Sequence, residues 1–235
     1  MLQSRREFLK SAGKVAVAAS VASVIPMSAM AEKPAHPFTY VHLDPEATAD
    51  RAYASFSALG GCAIGVTDAI IGQLADTVGA PFDGVPVQMF ANGAAGYGAN
   101  SLCGCLGGAA ACFGLVCDGP TSKELLQELM TWYRESELPN YDRSKPALAK
   151  VVPGSVNCID SCGKFFQATG ITSMADPERI NRCACLTADV ARKAVELLNA
   201  KLGMYSLVPR ALPSGRALFL HPWHAKRRAS FETLL

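Results

Sequence analysis

The chain has 235 residues, half of them apolar, and 22 lysines and arginines against 20 aspartates and glutamates give it a formal net charge of +2. That apolar share is too high for a disordered chain, and the charge balance lacks the basic excess of a nucleic-acid binder. The length suits one domain with a sizeable core.

The first element is a targeting signal. Ser4-Arg5-Arg6-Glu7-Phe8-Leu9-Lys10 sets two arginines before a hydrophobic pair, and an Ala/Val-rich run follows from about Val15 to Met30, the pattern of a twin-arginine export leader. Ala29-Met30-Ala31 predicts cleavage before Glu32, so the leader covers 1–31. A bilayer span needs roughly 20 strongly apolar residues. This run is shorter, rich in alanine rather than leucine, and interrupted by Pro26, and no later segment is long and apolar enough to span a bilayer, so no stable membrane span is expected. Removing the leader leaves 18 basic against 19 acidic residues, a net charge of −1, and the mild basicity goes with it. The expected location is the periplasm. The twin-arginine route moves folded proteins, which suits a cofactor inserted before export, a fast-folding apoprotein or a folded partner.

In the mature chain, Asp44-Pro45-Glu46 carries a helix start, with Asp as N-cap, Pro in the first turn and an acidic residue behind it, leading into Ala47 to Leu59. After Gly60-Gly61, the spacing of Ala63, Val66, Ala69, Ile70 and Leu74 predicts a helix over Cys62 to Val78 with one buried face. Gly79 to Pro86 is a break. No charged residue occurs from Val85 to Cys117, and Leu102 to Cys117 reads as a buried, Gly/Ala-rich helix. Thr121-Ser122-Lys123-Glu124 has the capping-box pattern, with Leu125, Leu126, Leu129 and Trp132 on one face behind it. Glu137 to Pro153 is a polar loop, Val156 to Ala168 a further helix, and Asp176-Pro177-Glu178 opens the last helix, to Leu202.

The predicted fold is therefore all-α: a single helical-bundle domain over 32–205, followed by an extended C-terminal tail over 206–235. The tail holds Leu218-Phe219-Leu220-His221-Pro222-Trp223-His224 and the basic group Lys226-Arg227-Arg228. It suits either wrapping a partner subunit or packing along its own domain.

Nine cysteines lie in the mature chain: Cys62, Cys103, Cys105, Cys112, Cys117, Cys158, Cys162, Cys183 and Cys185. An odd number cannot all pair internally, and a chain with this much apolar mass does not need staples. Cys103-Gly104-Cys105, Cys158 to Cys162 and Cys183-Ala184-Cys185 form three close groups, and the i,i+4 spacing of Cys158 and Cys162 puts both sulfurs on one helix face. Thiolates converging from several helices make a soft site suited to iron-sulfur, zinc or Cu(I). The four histidines, His36, His42, His221 and His224, are too few to be the main ligands, and no Cys-x-x-Cys-His stands in the chain, so covalent haem is not expected. Cys112 and Cys117 read as core residues. Gly104, Gly107 and Gly108 permit either close approach to an inorganic cluster or tight helix packing.

Gly61-Cys62-Ala63, the glycines Gly93, Gly96 and Gly98, Cys103-Gly104-Cys105-Leu106-Gly107-Gly108, Asn157-Cys158 and Arg182-Cys183 together resemble the redox family named for its C-GCAxxG-C-C motif. The resemblance spans most of Tyr40 to Leu202. Tyr40 to Pro45, Gly60 to Gly65 and Arg182 to Thr187 are most similar to the split-Soret cytochrome c branch of that family. The resemblance implies a helical protein, a homodimer, with an iron-sulfur cluster (2Fe-2S or 4Fe-4S) in a pocket of cysteines and an electron-transfer role. Carried over, the ligands are Cys62, Cys103, Cys158 and Cys183. Cys105 replaces an expected alanine, and Cys162 and Cys185 are further additions, so these three are candidate extra ligands.

The expected function is thus an exported iron-sulfur redox protein with an unidentified redox partner. The rivals are a thiolate protein that stores copper or zinc and a disulfide-stabilised structural module. No Ser/His/Asp or paired-carboxylate arrangement argues for a hydrolase, and Asp160 reads as solvated or capping.

Overall fold

A computed structural model describes residues 34–203, so the leader and nearly all of the tail lie outside the described residues. From His36 onward the described elements belong to one unit of helices: α1 (Pro45–Leu59), α2 (Cys62–Thr67), α3 (Gln73–Val78), α4 (Gly104–Val116), α5 (Gly119–Glu135), α6 (Cys158–Thr169) and α7 (Pro177–Leu202). No extended strand occurs among the described residues, only two isolated bridges, so the all-α expectation holds.

Helix starts follow their signals. Asp44 caps α1 by accepting from the Ala47 amide at 2.9 Å, and Asp176 caps α7 by accepting from the Glu178 amide at 2.9 Å. The expected start at Thr121 is displaced. Asp118 is the N-cap, accepting from the Thr121 amide at 2.8 Å, because Pro120 is tolerated in a first turn whose N–H groups need no helical partner. The buried stripe of α5 accordingly runs Leu125, Leu129, Tyr133, with Leu126 and Trp132 only half-buried beside it.

The predicted helix over Cys62 to Val78 is one path with a π turn, Asp68–Gly72, between α2 and α3. Asp68 of that turn accepts from Arg51 at 2.9 Å and from Ser55 at 2.6 Å, which ties the widened turn to α1. Helix α1 in turn lies along α7: Tyr53 donates to Asn181 at 2.9 Å, and Ala49 packs with Cys185 and Ala188 in a side cluster. The main core gathers α2, α4, α5 and the second half of α7 around Leu106, Phe113, Leu129, Val190 and Leu198. The polar loop after α5 is pinned to α7 by the buried Asp189 carboxylate, which accepts from the Asn140 and Tyr141 amides and pairs with Arg192 at 2.6 Å.

None of the helices among the described residues is long and apolar enough to cross a membrane.

Candidate metal centre

Three cysteines stand where helices begin. Cys62 is the first residue of α2, delivered by the Gly60-Gly61 turn, whose φ values of 97° and 142° suit glycine alone. Cys103 is the N-cap of α4 and Cys158 the first residue of α6. A short antiparallel bridge sets Leu102 opposite Asn157, with the Cys103 amide donating to Val156 at 2.8 Å and the Cys158 amide to Ser101 at 2.6 Å. That bridge makes two cysteines 55 residues apart in sequence neighbours in space. Cys183 arrives from the second turn of α7.

These four, together with Cys105 and Cys162, line one cavity of about 420 Å³. Its other walls are Phe56, Ile180, Leu186, Arg179 and Arg182 with small residues between them. Cys185 does not share the lining. It is buried in the side cluster under α1, one residue past the face that Ala184 separates from Cys183. Cys112 and Cys117 lie in the main core, where burial pushes their thiols up to about 12 and about 11. All nine cysteines are free thiols.

The six sulfurs form two contact groups. In one, Cys105 lies 3.3 Å from Cys103 and also within hydrogen-bonding reach of Cys62. Its donation lowers both partners, Cys103 to about 7, against the opposing effect of burial, while the Cys105 thiol itself is raised. In the other, Cys162 accepts from Cys158 and Cys183 and from Arg179, which holds it well below the usual thiol range and raises the two donors. Among the described residues no three His, Cys, Asp or Glu side chains gather tightly enough to hold a single metal ion. The sulfurs line a shared space and do not converge on one point.

Two glycines of α4 pack closely beside those sulfurs. A methyl at Gly104 would run into the Gly93 carbonyl oxygen and stand 2.5 Å from the Cys62 sulfur. Gly108, one turn on, would put a methyl 2.5 Å from the Ala63 carbonyl oxygen. At both positions the lack of a side chain permits close packing, against Gly93 and Cys62 at Gly104 and against Ala63 at Gly108.

The positive charge beside the sulfurs was missed in the sequence, where Arg182 stood only as the neighbour of Cys183 and Arg179 was not singled out. Arg182 is 1% exposed and Arg179 half-buried, neither forms an ion pair with a carboxylate among the described residues, and the Nε atom of each is buried without a partner. Arg182 also stacks over Phe165 at 5.6 Å. A buried guanidinium without a carboxylate partner is costly, and Arg182, with half-buried Arg179 beside it, makes this wall of the cavity electropositive. The described histidines take no part: neither lines the cavity, and the His36 ring is bonded to the Gly114 carbonyl at 2.6 Å. Asp160 is exposed and accepts from Asn157, in keeping with a capping role.

Residues 65–197, more than half of the chain, match the family described as "Putative redox-active protein (C_GCAxxG_C_C)". The chain belongs to this family. Within the matched stretch the C_GCAxxG_C_C family covers Cys103, Cys158 and Cys183, and Cys62 stands three residues ahead of it. The chain is 32% identical over 168 residues to split-Soret cytochrome c of Desulfovibrio desulfuricans, covering 68% of this chain and 60% of that relative's length. A solved structure described as "A novel iron centre in the split-Soret cytochrome c from Desulfovibrio desulfuricans ATCC 27774" superposes with a TM-score of 0.68 at 30% identity, over 75% of this chain and 76% of that one. The helical fold of the C_GCAxxG_C_C domain described above is thus the fold of that relative.

Proposed function

We propose that this chain is an exported redox protein that carries an iron-sulfur cluster in the six-cysteine cavity and transfers electrons through it. Cys62, Cys103, Cys158 and Cys183 are the ligands in this reading, and Cys105 and Cys162 are the two extra sulfurs in contact with them. The observation that carries it is six thiols and two carboxylate-free guanidiniums on one cavity. When bound, such a cluster supplies reversible electron storage. The chain's own residues do the rest. The N–H groups at the starts of α4 and α6 and the charges of Arg179 and Arg182 offset the negative sulfurs, and Phe56 and Leu186 give the cavity an apolar wall. The iron centre of the split-Soret relative supports iron as the metal. The chain spans about 60% of that relative's length and has no Cys-x-x-Cys-His, so covalent haem is not carried over. The twin-arginine leader supports delivery of the loaded, folded chain to the periplasm, and the family resemblance supports a homodimer.

Anaerobic purification of the full chain, with iron and acid-labile sulfide analysis, tests this reading. Brown protein with both elements supports it. Colourless protein containing zinc or copper on free thiols makes it a storage protein instead, and metal-free protein without free thiols makes it a disulfide module.

A further inference from the structure

Cys103 and Cys105 stand two residues apart, and their sulfurs lie 3.3 Å from each other. Within a regular helix, side chains at i and i+2 are about 200° apart around the axis and point to opposite sides. These two sulfurs meet because Cys103 lies outside the helix. It is the N-cap of α4, with φ −56° and ψ 128°, while Cys105 already belongs to the first turn. The Cys103 amide donates to the Val156 carbonyl at 2.8 Å, which fixes that extended residue. Gly104 between them is pressed against the Gly93 carbonyl and leaves no room for a side chain.

Residues this close in sequence have Cα atoms about 5–7 Å apart, a span that a disulfide bridges. From 3.3 Å the sulfurs must approach by about 1.2 Å to reach bonding distance, a movement within the reach of side-chain rotation. Both residues line the cavity, so a small reagent meets their sulfurs there although the residues are 5% and 1% exposed.

We propose that Cys103 and Cys105 are a redox-active dithiol that closes into a reversible disulfide when the cavity holds no metal. Closure takes Cys103 out of the thiols open to a metal. The pairing stands whatever metal the cavity takes, and only its consequence, that an empty chain must be reduced before it is loaded, rests on the iron-sulfur reading above. The oxidant is a small disulfide, a class of reagent that oxidising compartments supply. One cysteine thiolate attacks it, its S–S bond breaks, and one thiol leaves while a mixed disulfide remains on the protein. The second cysteine then attacks the protein sulfur of that mixed disulfide, forms the Cys103–Cys105 bond and expels the second thiol. Two electrons and two protons pass from the pair to the oxidant, and a dithiol reductant reverses both steps.

The test uses the full chain, purified anaerobically, freed of metal by chelation and equilibrated with mixtures of hydroxyethyl disulfide and mercaptoethanol. Free thiols are then alkylated, and peptide masses with fragmentation locate the disulfide. Cys103 and Cys105 are expected to lose reactivity together, with a mass lower by two hydrogens, and to regain it with dithiothreitol. The other seven cysteines are expected to alkylate once the chain is unfolded. At a fixed poise the closed-to-open ratio is expected to be at least about tenfold higher in the folded chain than in urea, because the fold holds the sulfurs in contact. Cys105→Ser is expected to leave Cys103 open, or as the mixed disulfide, at poises that close the wild type. A disulfide from either sulfur to another cysteine, a ratio no higher than in urea, or no closure at all overturns the proposal. Each of those results leaves the iron-sulfur reading standing, since iron and sulfide analysis of the untreated chain decides that separately.

Discussion

Gly104, Gly107 and Gly108 lie within five residues on one helix, and an alanine at each meets a different neighbour. At Gly107 the added methyl has only the Leu102 side chain, 4.0 Å away, and in a helix interior the exchange stabilises by about 0.8–1 kcal/mol. At Gly108 the methyl falls 2.5 Å from the Ala63 carbonyl oxygen and 3.1 Å from the Thr67 hydroxyl, and overpacking of that kind costs about 1–3 kcal/mol. Gly104 meets backbone and the Cys62 sulfur from the first helical position, where the propensity gain is smallest. The expected order of stability is Gly107→Ala at or above wild type, then Gly108→Ala, then Gly104→Ala, the extremes separated by about 2–4 kcal/mol. Urea unfolding of the metal-free mature chain measures this directly, and each kcal/mol also moves the melting midpoint by about 2–4 °C in a chain of this size. Equal midpoints for Gly104→Ala and Gly107→Ala would refute the claim that α4 is held against Gly93 and Cys62 by the lack of a side chain.

Other outcomes follow from the same geometry. Cys62→Ser or Cys183→Ser is expected to abolish the visible spectrum of the anaerobic protein while Cys117→Ser leaves it intact, and the reverse pattern rejects the ligand assignment. Cys112 and Cys117, held protonated by burial, are expected to resist alkylation at pH 8 until the chain is unfolded; rapid labelling of either in the folded state contradicts their core placement. Burial opposes the Asp68 charge, but the Arg51 and Ser55 hydrogen bonds and the Arg51 charge outweigh it, so the folded carboxyl lies below its ordinary range. Its contribution is therefore full above the unfolded value near 3.9 and lost as pH falls through the lower folded one. Asp68→Asn should lower stability at pH 7 by on the order of 1 kcal/mol and flatten its fall below about pH 4. An unchanged slope argues against the Arg51–Asp68 pair.

Helix ends were the most legible part of the fold, because a cap is local: Asp44 and Asp176 act on amides two or three residues away. The same logic misplaced the start of α5, where Asp118-Gly119-Pro120 and the Thr121 box compete within four residues and only packing selects between them. The π turn at Asp68 has no sequence period of its own; Arg51 and Ser55, more than ten residues earlier, hold it. At the site, residue types were readable and positions were not. Clustering singled out Cys103, Cys158 and Cys183, and the resemblance added Cys62, but nothing near Cys185 marks it as turned toward Ala49 rather than toward the cavity. Tyr133, Ser161 and Arg182 each look ordinary alone. They meet in two hydrogen bonds only because α5, α6 and α7 pack together, which no local pattern encodes.

The bridge between Leu102 and Asn157 has a consequence for the order in which the molecule is made. It joins segments more than 50 residues apart, and Cys62 and Cys183 add sulfurs from still farther along the chain. A cluster held as proposed would then act as an inorganic cross-link closing several long loops at once, with an entropic benefit that grows with the length enclosed. Helix packing must come first, since no short stretch of this chain offers more than two of those sulfurs. Once seated, the cluster would make unfolding of α2, α4, α6 and α7 a single event.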